Sequence, residues 1–510
     1  MGKLLFLAVD LGTSFIKSGV YDTAGNCLTG ASEPVKDHRP SPGVFIQYGD
    51  ELMESVIKCI RSTSQILGER VREVAAISFT GQMAGFMGVG ENWEDITTWS
   101  CSLDTRYAPY AQKQMLCLKD SFLNVSGTNA PLMCSKFEWF RREFPEKARK
   151  IAKYVMISGF VIGRMGELPV EEAVIDGSFI AWTGMADIKK KTWSREICDA
   201  IGMDMNCLPR IVQSNEVCGH LSPRMSDMTG LPSGIPLVSG AGDKVTGCVG
   251  AGINKCGDTI LEAASYAGFS CMVDAARPDS EKGYFDIIGG PSVKSFLAHK
   301  YLQGSGITLD WFIHNFVMND VVDKKSAFAK MEREADSIPP GCEGVFALGQ
   351  LNGSAMPFDS SLKGMWMGHT FNHGPAHLYR ALLECFAYDI GITLEQVEKY
   401  YPEYKIDSVK LIGGGAKSRL WAQMFADVTG KRFIRLDRED VALWGACILA
   451  GNAVGCFKDI HSVAAEAVHV QETFIPNLRR QEEYEPYKRI YEEYSCKLHY
   501  FYEDMDKIRN

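Results

Sequence analysis

Two segments of this 510-residue chain, one at its beginning and one near its middle, share a pattern of apolar strand, small-residue turn and second strand. In the first, an apolar run over residues 4–9 ends at Asp10, residues 11–14 turn the chain, and a second strand covers residues 15–22. Residues 258–273 (DTILEAASYAGFSCMV) have the same form. The restart indicates a weak internal duplication, with chance similarity of two hairpins as the alternative. Two facing copies of one sheet unit enclose a cleft, and a ligand bound there contacts both copies.

The length supports a division into two domains, because single hydrophobic cores stop growing at about 250–300 residues. We place the domains at residues 1–254 and 255–510. Between the repeated segments, helical and strand patterns alternate, with a helix predicted over residues 51–67 and a buried strand over residues 74–79. This alternation predicts an α/β fold with a mainly parallel sheet covered by helices. The second domain ends in a helix predicted over residues 482–508.

Composition excludes several classes of function. The formal charge of -9 and the absence of a long basic run argue against nucleic acid as a partner. No apolar stretch reaches the roughly 18 residues of a membrane span, so we expect no membrane partner. The 16 cysteines are scattered without a CxxC pair, which favours reduced thiols in the cytoplasm.

The first motif that could carry chemistry is Asp10-Leu11-Gly12-Thr13-Ser14 at the end of a strand. Glycine lets the backbone approach a phosphate, hydroxyl and N–H groups can bind its oxygens, and the carboxylate can hold Mg²⁺ directly or through water. An ordinary hairpin turn is the alternative interpretation.

The second motif is Ser239-Gly240-Ala241-Gly242-Asp243-Lys244, which follows an apolar strand and precedes a run of small residues. An aspartate on a rigid strand end can come within hydrogen-bond reach of a proton and act as a general base. The alternative is a helix N-cap, which is common at such junctions.

The third motif, over residues 409–418, is a strand that runs into Gly413-Gly414-Gly415 and then a helix from about residue 420. It is typical of a nucleotide-binding turn, with bare backbone and a helix N-terminus against the ligand. A fourth motif, Gln82-Met83 after the strand over residues 74–79, has Asp104 and Arg106 downstream. These side chains could bind a polyhydroxylated ligand, or form a polar turn and a surface ion pair.

Taken together and in order, these segments resemble the FGGY family of carbohydrate kinases over nearly the whole chain. FTGQMAG is similar to GQMHG of the xylulokinase branch of that family, and TTWSCSLDTR is similar to its WNDxR stretch. SGAGDKVTGCVGAGI resembles the segment that carries the family's catalytic aspartate. The other similarities lie in LAVDLGTSFIKSGVYDTAGN, HLYRALLECFAY, LIGGGAKSRLWAQMFADVTGKRF and EDVALWGACILAG.

The resemblance implies two ribonuclease-H-like domains of the actin and hexokinase superfamily that flank a catalytic cleft. It further implies that the N-terminal domain binds a sugar, that the C-terminal domain binds ATP, and that Mg²⁺ is required. Asp243 becomes the catalytic base, and Asp10 and Asp243 become the metal site. The implied sugar-binding residues are Gln82, Met83, Asp104, Arg106, Asp243 and Lys244. The implied nucleotide-binding residues are Gly12, Thr13, Ser14, Ser265, Gly306, Asp310, Gly414, Gly415, Ala416 and Arg419.

The sequence departs from the family pattern at three places. Ala84 stands where the xylulokinase branch has histidine, Lys244 where it has asparagine, and Ala264-Ser265-Tyr266 where the family usually has Gly-Thr-Ser. A lysine beside the reacting hydroxyl favours an anionic substrate such as a sugar acid. Alternatively, Lys244 pairs with a carboxylate such as Asp104, or lies outside the pocket.

The predicted function is therefore ATP-dependent phosphorylation of a small ketose such as xylulose or a related pentulose or hexulose. A polyol, a sugar acid or a signalling furanone is an alternative acceptor. A non-catalytic sugar- or nucleotide-binding relative is the alternative of a different class, whereas the sugar-type Gln82-Met83 loop disfavours an actin- or chaperone-like ATPase. A homodimer is compatible with the superfamily's habit of pairing.

Overall fold

The structure is a computed structural model that describes residues 4–130, 133–292, 294–318, 323–359 and 361–509. Its two large sheets have six and seven strands, and each is built around one of the two repeated segments. The strands of the first half are β1 Leu5–Leu11, β2 Phe15–Asp22, β3 Cys27–Pro34, β4 Val74–Gly81, β5 Gly85–Val89, β6 Ser100–Cys101, β7 Lys153–Val155, β8 Val174–Asp176, β9 Ala186–Asp187, β10 Thr192–Trp193, β11 Arg210–Val212, β12 Val217–His220 and β13 Pro236–Val238.

The second half of the chain forms the seven-stranded sheet and two small two-stranded sheets. Its strands are β14 Thr259–Glu262, β15 Ala267–Val273, β16 Asp286–Gly289, β17 Phe296–Leu302, β18 Phe346–Leu348, β19 Ser354–Ala355, β20 Phe358–Asp359, β21 Met365–Met367, β22 Ser408–Ile412, β23 Arg432–Leu436 and β24 Val470–Phe474.

The two sheets share one strand order, which confirms the α/β fold of two related domains. From edge to edge, the first sheet is β3-β2-β1-β4-β13-β12. The second is β16-β17-β15-β14-β22-β23-β24, in which β17 to β24 correspond to the six strands of the first. In the first sheet, β1, β2 and β3 pair antiparallel, and β4 and β13 extend the sheet parallel to β1. In the second, β14, β15 and β17 pair antiparallel, and β22 and β23 extend the sheet parallel to β14. The prediction of a mainly parallel sheet was wrong, because the short turns after β1, β2 and β14 permit only antiparallel pairing.

The helices cover the faces of these sheets. They are α1 Gly49–Leu67, α2 Ala108–Ser121, α3 Met133–Glu143, α4 Pro145–Ala148, α5 Ile157–Gly166, α6 Ile180–Thr183, α7 Arg195–Ile201, α8 Pro223–Thr229, α9 Asp243–Gly250, α10 Gly306–Phe316, α11 Lys324–Asp336, α12 Pro375–Tyr400, α13 Arg419–Thr429, α14 Val441–Ala453, α15 Ile460–Glu466 and α16 Leu478–Arg509. In the part of the chain that the structure describes, none of them is both long and apolar enough to cross a bilayer.

Helix α14 connects the two halves. Although it lies between β23 and β24 of the second sheet in sequence, its Trp444, Cys447 and Ile448 share a buried cluster with Phe6 and Ala8 of β1. The Cys447 thiol lies 3.4 Å from the Phe6 carbonyl oxygen. The strands of the first large sheet all precede residue 254 and those of the second all follow residue 255, while α14 from the second half contributes to the core of the first. The domain boundary itself stays a prediction.

Candidate active site

Three parallel strands of the first sheet end at one edge, and the polar side chains of three motifs gather there. Asp10 at the end of β1 is in register with Thr80 of β4, and β4 pairs with β13, which leads to Asp243. The Thr80 hydroxyl lies 2.6 Å from the Thr246 hydroxyl of α9, which ties that helix to β4. The carboxyl ends of parallel strands are where open α/β sheets bind ligands.

The backbone before Asp243 adopts a shape that requires glycine. Gly240 has φ +66°, and a Cβ atom there would lie 1.7 Å from the Phe79 carbonyl oxygen. The tight turn places Asp243 at the first position of α9, with Gly242 at the N-cap. The N-cap position is held by Gly242 and not by Asp243, so the N-cap alternative is wrong. About a third of the side chain is exposed (36%), which leaves the carboxylate accessible to a ligand.

Asp10 and Asp243 lie within electrostatic reach of each other. Burial raises the pKa of the Asp10 carboxyl to about 7, and the Asp243 and Glu262 carboxylates add to the rise, while Lys17 and Lys244 oppose it. Burial also raises the pKa of Asp243, and the Lys244 ammonium limits that rise. Acids that share a low-dielectric site in this way have an affinity for protons or for a cation. The group is therefore suited both to accept a proton and to hold a divalent metal ion.

The turn after β1 contacts the loop after β4. The Thr13 hydroxyl donates to Gln82 Oε1 at 3.3 Å, and Gln47 Nε2 donates to the Thr13 carbonyl oxygen at 2.8 Å. The Gln82 amide nitrogen is buried without a hydrogen-bond partner among the described residues. Such a donor is costly unless a ligand or water accepts its hydrogen bond. The turn over Gly12, Thr13 and Ser14 and the predicted sugar loop are thus adjacent.

Asp104 and Arg106 form an ion pair with each other. Arg106 donates to both carboxylate oxygens of Asp104, at 2.9 and 2.5 Å, and Ser100 donates to one of them at 2.9 Å. Lys136 of α3 donates to the carbonyl oxygens of Cys101 and Asp104 at 2.6 and 3.2 Å. The carboxylate of Asp104 is 1% exposed, so a sugar would share it with these donors. The role of both residues in sugar binding stays a prediction.

A cavity of about 300 Å³ opens beside this ion pair. The Arg106 guanidinium stacks over the Trp139 ring at 4.5 Å. No local sequence pattern indicates Trp139 or Lys136 as site residues, because α3 lies some thirty residues downstream of Asp104 and joins it only through tertiary packing. Residues that line the cavity include Tyr48, Phe86, Thr97, Ser100, Arg106 and Trp139.

Lys244 forms an ion pair with Glu262 at the end of β14, and the pair connects the two halves. Asp104 is not its partner, which corrects that part of the prediction. The ammonium also lies 3.8 Å from Asp243 Oδ2. Burial alone would lower the pKa of Lys244, but the two carboxylates raise it, so the side chain stays charged. None of the sequence motifs indicated Glu262 as a site residue. It nevertheless occupies in the second repeat the strand end that Asp10 occupies in the first.

Three of the predicted nucleotide segments lie side by side in the second half. The Gly415 N–H donates to the Ala263 carbonyl oxygen at 2.7 Å, and the Gly306 N–H donates to the Ala264 carbonyl oxygen at 3.1 Å. The loop that contains Ser265 therefore lies between the triple glycine and the start of α10. Gly414 is exposed, and no atom lies within 4 Å of the position that its Cβ would take, so a ligand can approach the backbone there.

The remaining predicted nucleotide residues have partners within the protein. Asp310 pairs with Lys324 at 2.8 Å, Arg419 pairs with Glu472 at 2.5 Å, and the carbonyl oxygen of Ala416 accepts from Arg435 at 3.2 Å. Tyr266, which replaces a small residue of the family pattern, stacks on Tyr301 with ring centroids 6.0 Å apart. The roles of these residues toward a nucleotide stay predictions.

A separate group of potential metal ligands, Glu343, His373 and His377, lies at the start of α12. The Nδ1 atoms of the two histidines accept hydrogen bonds from the N–H groups of Thr370 and Gly374, at 3.0 and 3.2 Å. The proton of each neutral ring is therefore on Nε2, and His377 Nε2 lies 3.6 Å from a carboxylate oxygen of Glu343. Histidines that bind metals usually donate their second N–H instead, so we assign no metal site here.

The two related sheets give the chain a two-domain α/β fold. The structure of gluconate kinase from Lactobacillus acidophilus shares this fold, with a TM-score of 0.90 and 20% identity over 99% of this chain and all of that one. Residues 5–250 match the N-terminal domain of the FGGY family of carbohydrate kinases, and residues 281–454 match its C-terminal domain. The chain belongs to the FGGY family and is a carbohydrate kinase.

Curated relatives of this chain act on more than one kind of substrate. Xylulose kinase of Bacillus subtilis (strain 168) is 26% identical over 494 residues, which cover 95% of this chain and 96% of the relative. Gluconokinase of Bacillus licheniformis is 25% identical over 472 residues, 88% of this chain and 87% of the relative. A neutral ketose and a sugar acid are thus the acceptors of similarly distant relatives.

Proposed function

We propose that this kinase transfers the γ-phosphate of Mg-ATP to a hydroxyl of a small ketose or a related polyol. The observation that carries the proposal is the position of Asp243 at the first residue of α9, partly exposed and within electrostatic reach of Asp10. Similarity to a xylulose kinase supports a ketose, and similarity to a gluconokinase makes a sugar acid the second candidate.

In this mechanism the chain's own residues bind, orient and deprotonate the acceptor. The Gln82 amide nitrogen donates to a sugar oxygen, Asp243 accepts the proton of the reacting hydroxyl, and the backbone around Gly12 and Thr13 positions the phosphoryl group. Ser265, Gly306 and Gly415 lie where the nucleotide would bind. Phosphoryl transfer has a loose transition state, so positioning and charge neutralisation dominate its catalysis.

The side chains present are suited to Mg²⁺. Asp10, Asp243 and Glu262 bring three carboxylates to one place, and Lys244 is the cation buried among them. The remaining negative charge suits a divalent cation bound by oxygen ligands. Asp10 and Asp243 would hold the ion, which neutralises phosphate charge when bound.

A screen of acceptors tests the reaction directly. Release of ADP from Mg-ATP should rise by about tenfold or more over the acceptor-free rate with at least one ketose or polyol, because proper positioning makes transfer to a bound hydroxyl outpace transfer to water. The panel should include pentuloses, hexuloses, tetritols, pentitols and aldonic acids. A rate that no acceptor changes would contradict the proposed function.

Gln82→Leu should raise KM for the best neutral acceptor by about tenfold or more, with a smaller change in kcat, because a buried donor built to bind a hydroxyl is removed. Steady-state kinetics on the best acceptor of the screen measure both constants. Gln481→Leu on α16 is the matched control and should leave both unchanged. If Gln82→Leu and the parent protein have equal KM values, the assignment of Gln82 to the sugar site is wrong.

A further inference from the structure

The Lys244–Glu262 ion pair lies directly beside the proposed base. Lys244 follows Asp243 on α9, its side chain is 13% exposed, and its ammonium is shared between Asp243 and Glu262. The aliphatic part of Lys244 runs along β15, where a Cβ atom on Gly268 would lie 3.5 Å from Cδ and Cε. The lysine thus reaches from the N-terminal half of the chain across to the end of β14.

Glu262 is held firmly in that position. It is the last residue of β14 and is in register with Ile412 of β22. The next residue, Ala263, donates to the Ile412 carbonyl oxygen at 2.8 Å and accepts from Gly415 at 2.7 Å. A side chain on such a fixed strand end keeps its geometry better than one on a free loop. The strand end therefore holds the Glu262 carboxylate in position to pair with Lys244.

Resting on the function proposed above, we propose that Glu262 selects for a neutral acceptor by neutralising Lys244 across the cleft. Without Glu262, the ammonium beside the base would attract the carboxylate of a sugar acid. With it, an acid entering the site meets the charges of Asp243 and Glu262 and finds the Lys244 ammonium already paired. A ketose or polyol carries no charge and incurs no such repulsion.

The other groups that face Lys244 do not change this charge balance. His299 is buried, its Nδ1 lies 2.9 Å from the Ser270 hydroxyl, and burial lowers the pKa of its imidazole to about 3, so it is neutral. Burial raises the pKa of Tyr301, which keeps the phenol neutral. The charge of the acceptor therefore interacts mainly with Asp243, Lys244 and Glu262, together with Asp10.

Glu262→Gln tests the proposal, because it removes the charge and keeps the shape of the side chain. The ratio of kcat/KM for an aldonic acid to kcat/KM for the polyol of equal carbon number should rise by about tenfold or more, mostly through KM of the acid. Lys244→Met in the Glu262→Gln background should abolish the gain. The matched control is Glu398→Gln on α12, which removes the charge that pairs with Lys431 and should leave the ratio unchanged.

Two results would overturn the proposal: a ratio in Glu262→Gln within about twofold of the parent value, or a gain that persists in the double variant. If the parent protein turns over no acceptor, the proposed function fails by itself. Binding then tests the proposal about Glu262. The measurement is the shift in Tm that gluconate and sorbitol each produce in the parent protein and in Glu262→Gln. Gluconate should raise the Tm of Glu262→Gln more than that of the parent protein, whereas the shift with sorbitol should be the same in both. If both shifts equal those of the parent protein, the proposal about Glu262 is refuted. If Glu262→Gln unfolds, Glu262→Ser takes its place in both measurements.

Discussion

Asp243→Asn should lower kcat by on the order of 10²–10⁴-fold, because the substitution removes the group that accepts the proton of the reacting hydroxyl. The amide has nearly the same shape as the carboxylate, and the N-cap of α9 is Gly242, so the substitution leaves the residue that caps this helix unchanged. KM for the acceptor should change much less than kcat. The measurement is steady-state ADP release with the best acceptor of the screen at saturating Mg-ATP.

A matched control separates loss of the base from loss of the fold. Asp427 of α13 is also an aspartate whose pKa burial raises, and its carboxylate accepts hydrogen bonds from Gln423 and Asn477 outside the proposed site. Asp427→Asn should keep kcat while changing Tm by a few degrees at most, as for a modest loss of hydrogen bonding. If Asp243→Asn retains a kcat within about tenfold of the parent value, the assignment of Asp243 as general base is wrong.

The sequence was most informative where local patterns determine structure. The repeated strand–turn–strand units, the helix over residues 51–67 and the strand over residues 74–79 all exist in the structure, as β1 and β2, β14 and β15, α1 and β4. These segments show the two periodicities on which such predictions rest. Sheet direction was mispredicted because it depends on turn lengths as well as on the alternation of elements.

Tertiary contacts limited what could be predicted about the site. The Lys244–Glu262 pair joins residues 18 apart in sequence, but it forms only because α9 and β14 belong to halves that face each other. A comparison of the two repeats could have suggested Glu262, since VDLGTS and LEAASY place an acid at the same strand end. Lys136 gives no such signal, because its contacts with Cys101 and Asp104 come from α3, about thirty residues away in sequence.

The position of α14 was also beyond prediction from local pattern. Its sequence, VALWGACILAGNA, is apolar on nearly all sides and thus indicates a helix buried on all sides, without saying between which elements. The structure places it between β1 and β4 on one side and α9 on the other. Because α9 begins at Asp243, the packing of α14 also determines where the proposed base lies.

Gly445→Ala should destabilise the protein by about 3 kcal/mol or more, since it inserts a methyl group where α9 and α14 cross with their backbones in contact. A Cβ atom on Gly445 would lie 1.9 Å from the Thr246 carbonyl oxygen, and one on Gly250 would lie 1.8 Å from the Val441 carbonyl oxygen. Backbone atoms cannot rotate away as a side chain can, so the helices must separate. The cluster of Phe6, Ala8 and Trp444 on the far side of α14 resists that movement.

Thermal unfolding with purified variants measures this effect, and Gly247→Ala on α9 provides the matched control. Gly247 has a helical backbone, and no atom outside its own helix lies within 4 Å of the position of its Cβ. Alanine there should raise stability by about 0.5–1 kcal/mol, the usual advantage of alanine over glycine inside a helix. The separated helices of Gly445→Ala should also displace Asp243 and lower kcat, whereas Gly247→Ala should not. A Tm of Gly445→Ala equal to that of Gly247→Ala would show that the crossing tolerates a methyl group and that α14 does not fix the position of the base.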